Sequence, residues 1–121
     1  NKIDANEAPT INGDGSQAYD FIDVRDVARC NILALKSSAT DKFYNVGTGV
    51  QTSIAQLCDK ILELRKSNLK VSYNPYSEDD ARRMVQNRIG CPRKANEDLG
   101  FEYEINLEKG LEDLISWREA N

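Results

Sequence analysis

The sequence contains no histidine, and this absence removes several classes of site. Catalytic Ser/His/Asp and Cys/His arrangements, histidine-containing zinc sites and histidine proton shuttles are all excluded. Any chemistry must therefore come from carboxylates, tyrosine, lysine, serine, cysteine or a bound cofactor. We assign no catalytic, cofactor-binding or metal-ligating residue within the chain.

Long apolar runs and paired cysteines are missing as well. No stretch approaches the roughly eighteen apolar residues of a membrane-spanning helix, and no charged segment followed by an apolar one opens the chain as a secretory signal does. The three cysteines, Cys30, Cys58 and Cys91, form no Cys-x-x-Cys motif. We therefore expect free, buried thiols and a cytoplasmic protein with no membrane partner.

The only methionine, Met84, lies inside the chain, so the sequence does not begin with an initiator residue. This start predicts a processed product or a piece of a longer protein. The length of 121 residues is nevertheless that of one domain. We therefore treat residues 1–121 as a single folding unit.

Acidic residues outnumber basic ones by 20 to 16, which gives a net charge of −4 and argues against a nucleic-acid partner. Residues 82–94 reverse this balance, because they contain no acidic residue and five basic ones: Arg82, Arg83, Arg88, Arg93 and Lys94. Two interpretations stay open. Guanidinium groups match phosphate oxygens and can clamp a diphosphate, or these cations form a solvated surface that pairs with the acidic residues 78–80.

Two glycine pairs and an aspartate cluster also invite functional interpretations. Gly13-Asp14-Gly15 and Gly47-Thr48-Gly49 resemble phosphate-binding loops, yet neither satisfies Gly-x-Gly-x-x-Gly, and ordinary turns are the favoured interpretation. Asp20, Asp23 and Asp26 are too divergently placed for a metal or acid–base site. Helix capping and stabilisation of the helix dipole explain their spacing better.

Short strand and helix signals alternate along the chain. Residues 9–12 and 18–24 predict a hairpin around the first glycine pair. Residues 25–37 predict a largely buried helix. Ser53 and Gln56 predict a capping box at the start of a second, strongly amphipathic helix. The remaining predictions are strands at 43–46 and 69–73, a loop at 74–83, a short helix between Pro92 and Gly100, and a helix at 107–117. The pattern is typical of an α/β fold with about four helices.

Three segments, in this order along the chain, resemble the sequence motifs of one protein family. They are Gly13-Asp14-Gly15-Ser16-Gln17 with Asp20-Phe21-Ile22, then Tyr44-Asn45-Val46-Gly47-Thr48-Gly49, then Lys94-Ala95 with Leu99-Gly100-Phe101 and Trp117. Together they resemble the C-terminal part of the NAD-dependent sugar-nucleotide epimerase/dehydratase family, the extended short-chain dehydrogenase/reductases. The resemblance covers nearly the whole chain.

The resemblance implies a substrate-binding part whose partner is a nucleotide sugar, with a UDP-sugar preferred. NAD would be bound by an N-terminal Rossmann domain that this chain does not contain. Neither that domain's glycine fingerprint nor the family's Tyr-x-x-x-Lys motif can be found here. The resemblance therefore implies that this chain is part of a larger enzyme that transfers hydride, and that the chain alone is inactive. The alternative is a stand-alone, non-catalytic binding or interaction module, with self-association to hide exposed surfaces.

The resemblance also carries over substrate-binding residues. Gln17 and Tyr19 lie in the first motif, where the family usually has an arginine at the position of Tyr19; tyrosine can donate a hydrogen bond there but supplies no charge. A second family arginine corresponds to Arg82, Arg83 or Arg88. Cys91 replaces a frequent aspartate before the short helix, so a cap is expected to be lost.

Overall fold

Strands of two or three residues alternate with longer helices along residues 2–121, the range that the computed structural model describes apart from the side chain of Arg83. The strands are β1 (Thr10–Asn12), β2 (Ala18–Tyr19), β3 (Thr52–Ser53), β4 (Ser72–Asn74) and β5 (Asn87–Arg88). The helices are α1 (Val24–Lys36), α2 (Ile54–Leu64), α3 (Glu78–Arg83), α4 (Arg93–Leu99) and α5 (Leu107–Ala120). The α/β class is confirmed, with five helices over the described residues rather than about four.

The predicted hairpin is wrong, because β1 and β2 belong to different sheets. Strand β1 pairs in parallel with β4, whereas β2 lies between antiparallel β3 and parallel β5. The turn between them is closed locally, since the Asp14 carboxylate accepts hydrogen bonds from the backbone N–H and the hydroxyl of Ser16. This Asx-type turn redirects the chain from one sheet to the other instead of folding it back on itself.

Helix α1 forms as predicted but is not largely buried. Asp23 caps its first turn, with the carboxylate accepting from the Arg25 amide at 2.8 Å. One face packs on the core cluster through Cys30, beside Ala95 of α4 and Phe101. Only Asp26 and Cys30 of the helix are buried, and several of its apolar side chains face outward.

The capping box of α2 is confirmed in full. The Ser53 hydroxyl accepts from the Gln56 amide at 3.1 Å, and the Gln56 side chain accepts from the Ser53 amide at 2.8 Å. Both bonds link residues three apart, so the local sequence is enough to form them.

We expect Ser53→Ala to lower the free energy of unfolding by about 1 kcal/mol, because it leaves a helix N–H without its acceptor. Chemical denaturation measures this change. Ser38→Ala, at an exposed position outside the helices, is the control and should change the free energy of unfolding by less than about 0.5 kcal/mol. Equal effects of the two changes would contradict the capping role.

Several other local predictions need correction. Residues 43–46 form no strand, and the predicted half-buried strand at 69–73 is replaced by the exposed strand β4. The predicted loop at 74–83 contains α3, which Ser77 caps by accepting from the Asp80 amide at 3.1 Å. This short helix was missed because its polar sequence carries no apolar periodicity.

The last two helices follow their sequence signals closely. Gly100 ends α4 in the left-handed conformation at φ 65°, and Phe101 behind it is buried in the core. Helix α4 begins without a side-chain cap after Cys91, as expected. Trp117, which we expected to pack, is mostly exposed on α5, and of the three free cysteines only Cys30 is buried.

Candidate functional site

Strand β2 is the centre of the candidate site, because it brings together residues that are far apart in sequence. Tyr19 pairs with Thr52 of β3 on one side and with Arg88 of β5 on the other. The Asp20 amide donates to the Arg88 carbonyl at 3.0 Å and so fixes this register. Paired residues of neighbouring strands point to the same face of a sheet, so Tyr19 and Arg88 share one face.

Tyr76 is a member of this site that the sequence analysis missed. The side-chain amide of Gln17 donates a hydrogen bond to the Tyr76 hydroxyl, while the Gln17 carbonyl accepts from the Ile54 amide at 2.9 Å. Burial raises the pKa of Tyr76 above its usual value and is the largest cause of the shift. The nearby Tyr19, Asp14 and Asp80 raise this pKa further. Tyr76 therefore keeps its phenolic proton at neutral pH. The only sequence signal was an aromatic residue just after Asn74-Pro75.

Aromatic packing orients Tyr19. Its ring meets that of Phe21 edge to face, with 6.1 Å between centroids and 67° between planes. Such pairs stabilise the ring position beyond the burial of area alone. A tyrosine held in this way presents its hydroxyl from a defined place on the sheet.

The arginines of the predicted clamp lie on two successive elements. Arg88 is on β5 and Arg82 is on α3, and both are exposed. Among the described side chains, no carboxylate lies within ion-pair distance of either, so the predicted pairing with residues 78–80 is not seen for them. The side chain of Arg83 lies outside the described part of the chain. The structure thus places Tyr19 and Arg88 on neighbouring strands, with Gln17 directly before β2 and Arg82 on the helix before β5.

The second glycine pair is not a free phosphate cradle. The Asp20 carboxylate accepts hydrogen bonds from the backbone amides of Thr48 and Gly49 at 3.0 and 2.9 Å, and from the Thr48 hydroxyl at 2.6 Å. An anion of the chain itself therefore occupies these amides. Asp20 anchors a loop to the end of β2, whereas we had predicted a role in helix capping.

The other two aspartates of the cluster also have separate structural roles. Asp23 caps α1, as predicted, and the hydrogen bond from Arg25 is the main reason that the pKa of Asp23 falls to about 2. Asp26 is buried and binds the backbone amides of Glu104 and Ile105. The three carboxylates therefore diverge, which agrees with the structural interpretation of their spacing.

Within residues 2–121, no group of three or more cysteine, aspartate or glutamate side chains is placed to hold a metal ion. Over the same residues, no helix is both long and apolar enough to cross a membrane.

The backbone of this chain is similar to the backbones of solved enzymes, among them a UDP-glucose 4-epimerase. The structure of UDP-glucose 4-epimerase from Thermotoga maritima with UDP-glucose matches 96% of this chain at a TM-score of 0.86 and 31% identity. That of the Bordetella bronchiseptica enzyme WbmF with NADH matches 97% of it at a TM-score of 0.81 and 32% identity. In sequence, human UDP-glucose 4-epimerase is 31% identical over 113 residues, 89% of this chain.

The sequence model of the GDP-mannose 4,6 dehydratase family matches residues 1–114. The chain belongs to the NAD-dependent sugar epimerase/dehydratase family. It spans about a third of its relatives: 36% of the T. maritima enzyme, 34% of WbmF and 31% of the human epimerase.

Proposed function

We propose that this chain binds a nucleotide sugar, a UDP-sugar most readily, as the C-terminal substrate-binding part of an NAD-dependent epimerase or dehydratase. The observation that carries the proposal is the pairing of β2 with β5, which sets Tyr19 beside Arg88. A phenol hydroxyl and a guanidinium on one sheet face are donors suited to diphosphate oxygens. The T. maritima relative that matches this chain was solved with UDP-glucose.

Each residue of the site has a defined part in this proposal. Arg88 and Arg82 supply the positive charge that the family's usual arginine at position 19 would otherwise provide. Tyr19 and the protonated Tyr76 supply hydrogen-bond donors without charge. Gln17 is held by Tyr76 and by the Ile54 backbone, so it positions the start of β2.

NAD does not fit the glycine segments of this chain. The amides of Thr48 and Gly49 are bound to Asp20, and the Gly13 amide donates to the Asn74 carbonyl at 2.7 Å. A dinucleotide diphosphate needs such amides free. We infer that NAD binds elsewhere in the family fold and that this chain is not catalytic by itself.

Calorimetric titration with UDP-glucose tests the binding proposal. The wild-type chain is expected to bind, and Arg82→Ala/Arg83→Ala/Arg88→Ala to bind at least about tenfold more weakly, because the diphosphate loses its charge partners. A titration with NAD is expected to release no heat.

A matched control removes the same amount of charge elsewhere. Lys36→Ala/Lys66→Ala/Lys70→Ala changes three exposed basic residues outside the site and should leave the affinity for UDP-glucose within about twofold of the wild-type value. Equal affinity of all three proteins would remove the arginine clamp. No binding by the wild type, together with a light-scattering mass well above 13.6 kDa, would favour the stand-alone interaction module.

A further inference from the structure

The described arginines fall into two groups by their ionic partners. Those outside residues 82–94 each pair with a carboxylate: Arg25, Arg29, Arg65 and Arg118. Within residues 82–94, the side chains of Arg82, Arg88 and Arg93 have no carboxylate at ion-pair distance among the described residues. In a chain of net charge −4, this contrast favours an anionic ligand at these three arginines.

Arg93 is left over when a diphosphate is bound. A sugar nucleotide carries one negative charge on each phosphate, and Arg82 and Arg88 are the proposed partners of these charges. Arg93 is five residues after Arg88, so their Cα atoms lie no more than about 18 Å apart. Two arginine side chains and one sugar can bridge this distance. Arg93 is therefore within reach of the sugar of the same ligand.

Arg93 lines an open cavity of about 550 Å³ that lies beyond the ends of β2 and β5. Gly47 also lines it and lies against the carboxylate of Asp20, the residue after β2. Cys91, three residues after β5, is a further lining residue. The cavity thus adjoins the candidate site, and its size is within the range of small-molecule sites.

The polar side chains that remain free in this cavity are hydrogen-bond donors. The Asn96 side-chain amide donates to the Glu102 carboxylate at 3.3 Å, and the Thr48 hydroxyl donates to another carboxylate of the chain at 2.6 Å. Among the described residues, the Arg93 guanidinium and the Tyr103 hydroxyl have no hydrogen-bonding partner. A guanidinium and a phenol hydroxyl together suit a carboxylate of the ligand.

We propose that the sugar of the ligand carries a carboxylate, as a nucleotide-linked hexuronate does, and that Arg93 determines this specificity. Arg93 binds the carboxylate through two parallel N–H···O bonds, and the Tyr103 hydroxyl donates a third bond. A neutral hexose has no such charge, so it leaves the guanidinium unpaired. The inference rests on the proposed function, because the diphosphate at Arg82 and Arg88 brings the sugar to the cavity.

Calorimetric titrations with UDP-glucuronate and UDP-glucose test the inference on the wild type, Arg93→Gln and Arg93→Lys. The wild type is expected to bind UDP-glucuronate about tenfold more tightly than UDP-glucose, because only UDP-glucuronate pairs with Arg93. Arg93→Gln should abolish this preference and leave the affinity for UDP-glucose within about twofold of the wild-type value. Arg93→Lys should retain part of the preference, since it keeps the charge but not the bidentate geometry.

Lys70→Gln is the matched control, because it removes one positive charge from an exposed side chain outside the cavity. It should leave the preference for UDP-glucuronate unchanged. Three results would overturn the inference while UDP-glucose binding still supports the proposed function: equal binding of the two ligands by the wild type, a preference that survives in Arg93→Gln, or one that is lost in Lys70→Gln. Binding of neither ligand would overturn both.

Discussion

Replacing Asp26 with alanine is expected to lower the free energy of unfolding by about 3 kcal/mol. The side chain is 1% exposed and accepts hydrogen bonds from Arg29 at 2.7 Å and from the amides of Glu104 and Ile105 at 3.0 to 3.1 Å. Its loss leaves two backbone donors without their acceptor and removes the buried partner of Arg29, which keeps only Glu104 and the Glu102 carbonyl. It also detaches the segment before α5 from α1. Urea denaturation followed by circular dichroism measures the change.

Asp113→Ala is the matched control for this prediction. Asp113 also pairs with two cations, Arg25 at 2.9 Å and Lys109 at 2.8 Å, but its side chain is 34% exposed. Ion pairs open to solvent contribute little, so this change should cost less than about 1 kcal/mol. If Asp26→Ala were no more destabilising than Asp113→Ala, the buried carboxylate would not be the tether that the structure indicates.

The same carboxylate makes stability depend on pH. Burial alone opposes ionisation of Asp26, but the hydrogen bonds from Arg29, Ile105 and Glu104 outweigh it and lower its pKa below 3.8. A lowered pKa in the folded state stabilises the protein above the unfolded pKa, and this contribution disappears as the pH falls through the folded value. Wild-type stability should therefore fall as the pH drops below about 4.

A variant separates the part played by Asp26 from that of the other aspartates whose pKa is lowered. Asp26→Asn keeps the size of the side chain but turns an N–H group toward backbone donors, so it destabilises the fold at neutral pH and removes one part of the acid dependence. The remaining part comes from the other aspartates whose pKa is lowered, among them Asp23, whose pKa of about 2 is set mainly by Arg25, and Asp98 and Asp113, which pair with cations. An unchanged slope between Asp26→Asn and the wild type would contradict this assignment.

Gly13→Ala is expected to cost about 3 kcal/mol, the second large effect. Gly13 has φ 85°, which a residue with a Cβ rarely adopts, and an added Cβ would clash with Cε2 of the Tyr76 ring. The ring would have to move and would release its hydrogen bond with Gln17. We expect the affinity for UDP-glucose to fall with stability, because Tyr76 belongs to the candidate site.

Gly100→Ala isolates the conformational part of this cost. Gly100 also has a positive φ, 65°, but nothing lies within 4 Å of an added Cβ. This change should cost about 1 kcal/mol and leave UDP-glucose binding unchanged. Tyr76→Ala in the Gly13→Ala background should recover part of the difference, because the clash is then removed. Equal costs for Gly13→Ala and Gly100→Ala would show that the Tyr76 ring is not packed against the turn.

Features that depend on neighbouring residues were predictable. Two features, the pair of hydrogen bonds between Ser53 and Gln56 and the left-handed end of α4 at Gly100, each involve residues at most six apart. The sequence therefore determines them without knowledge of the fold. The motifs of the candidate site, with Gln17 and Tyr19 in one segment and the arginines in another, were also visible. Their order along the chain indicated the family.

The tertiary structure alone decided which segments meet. Strand β2 pairs with β5 rather than with β1, and nothing within a two-residue strand specifies that choice, because pairing depends on contacts across the whole chain. The same contacts bring Tyr76 to Gln17 and turn Asp20 toward the amides of Thr48 and Gly49. They also leave one apolar face of α1 open, since burial depends on which partner is present and not on the helix pattern alone.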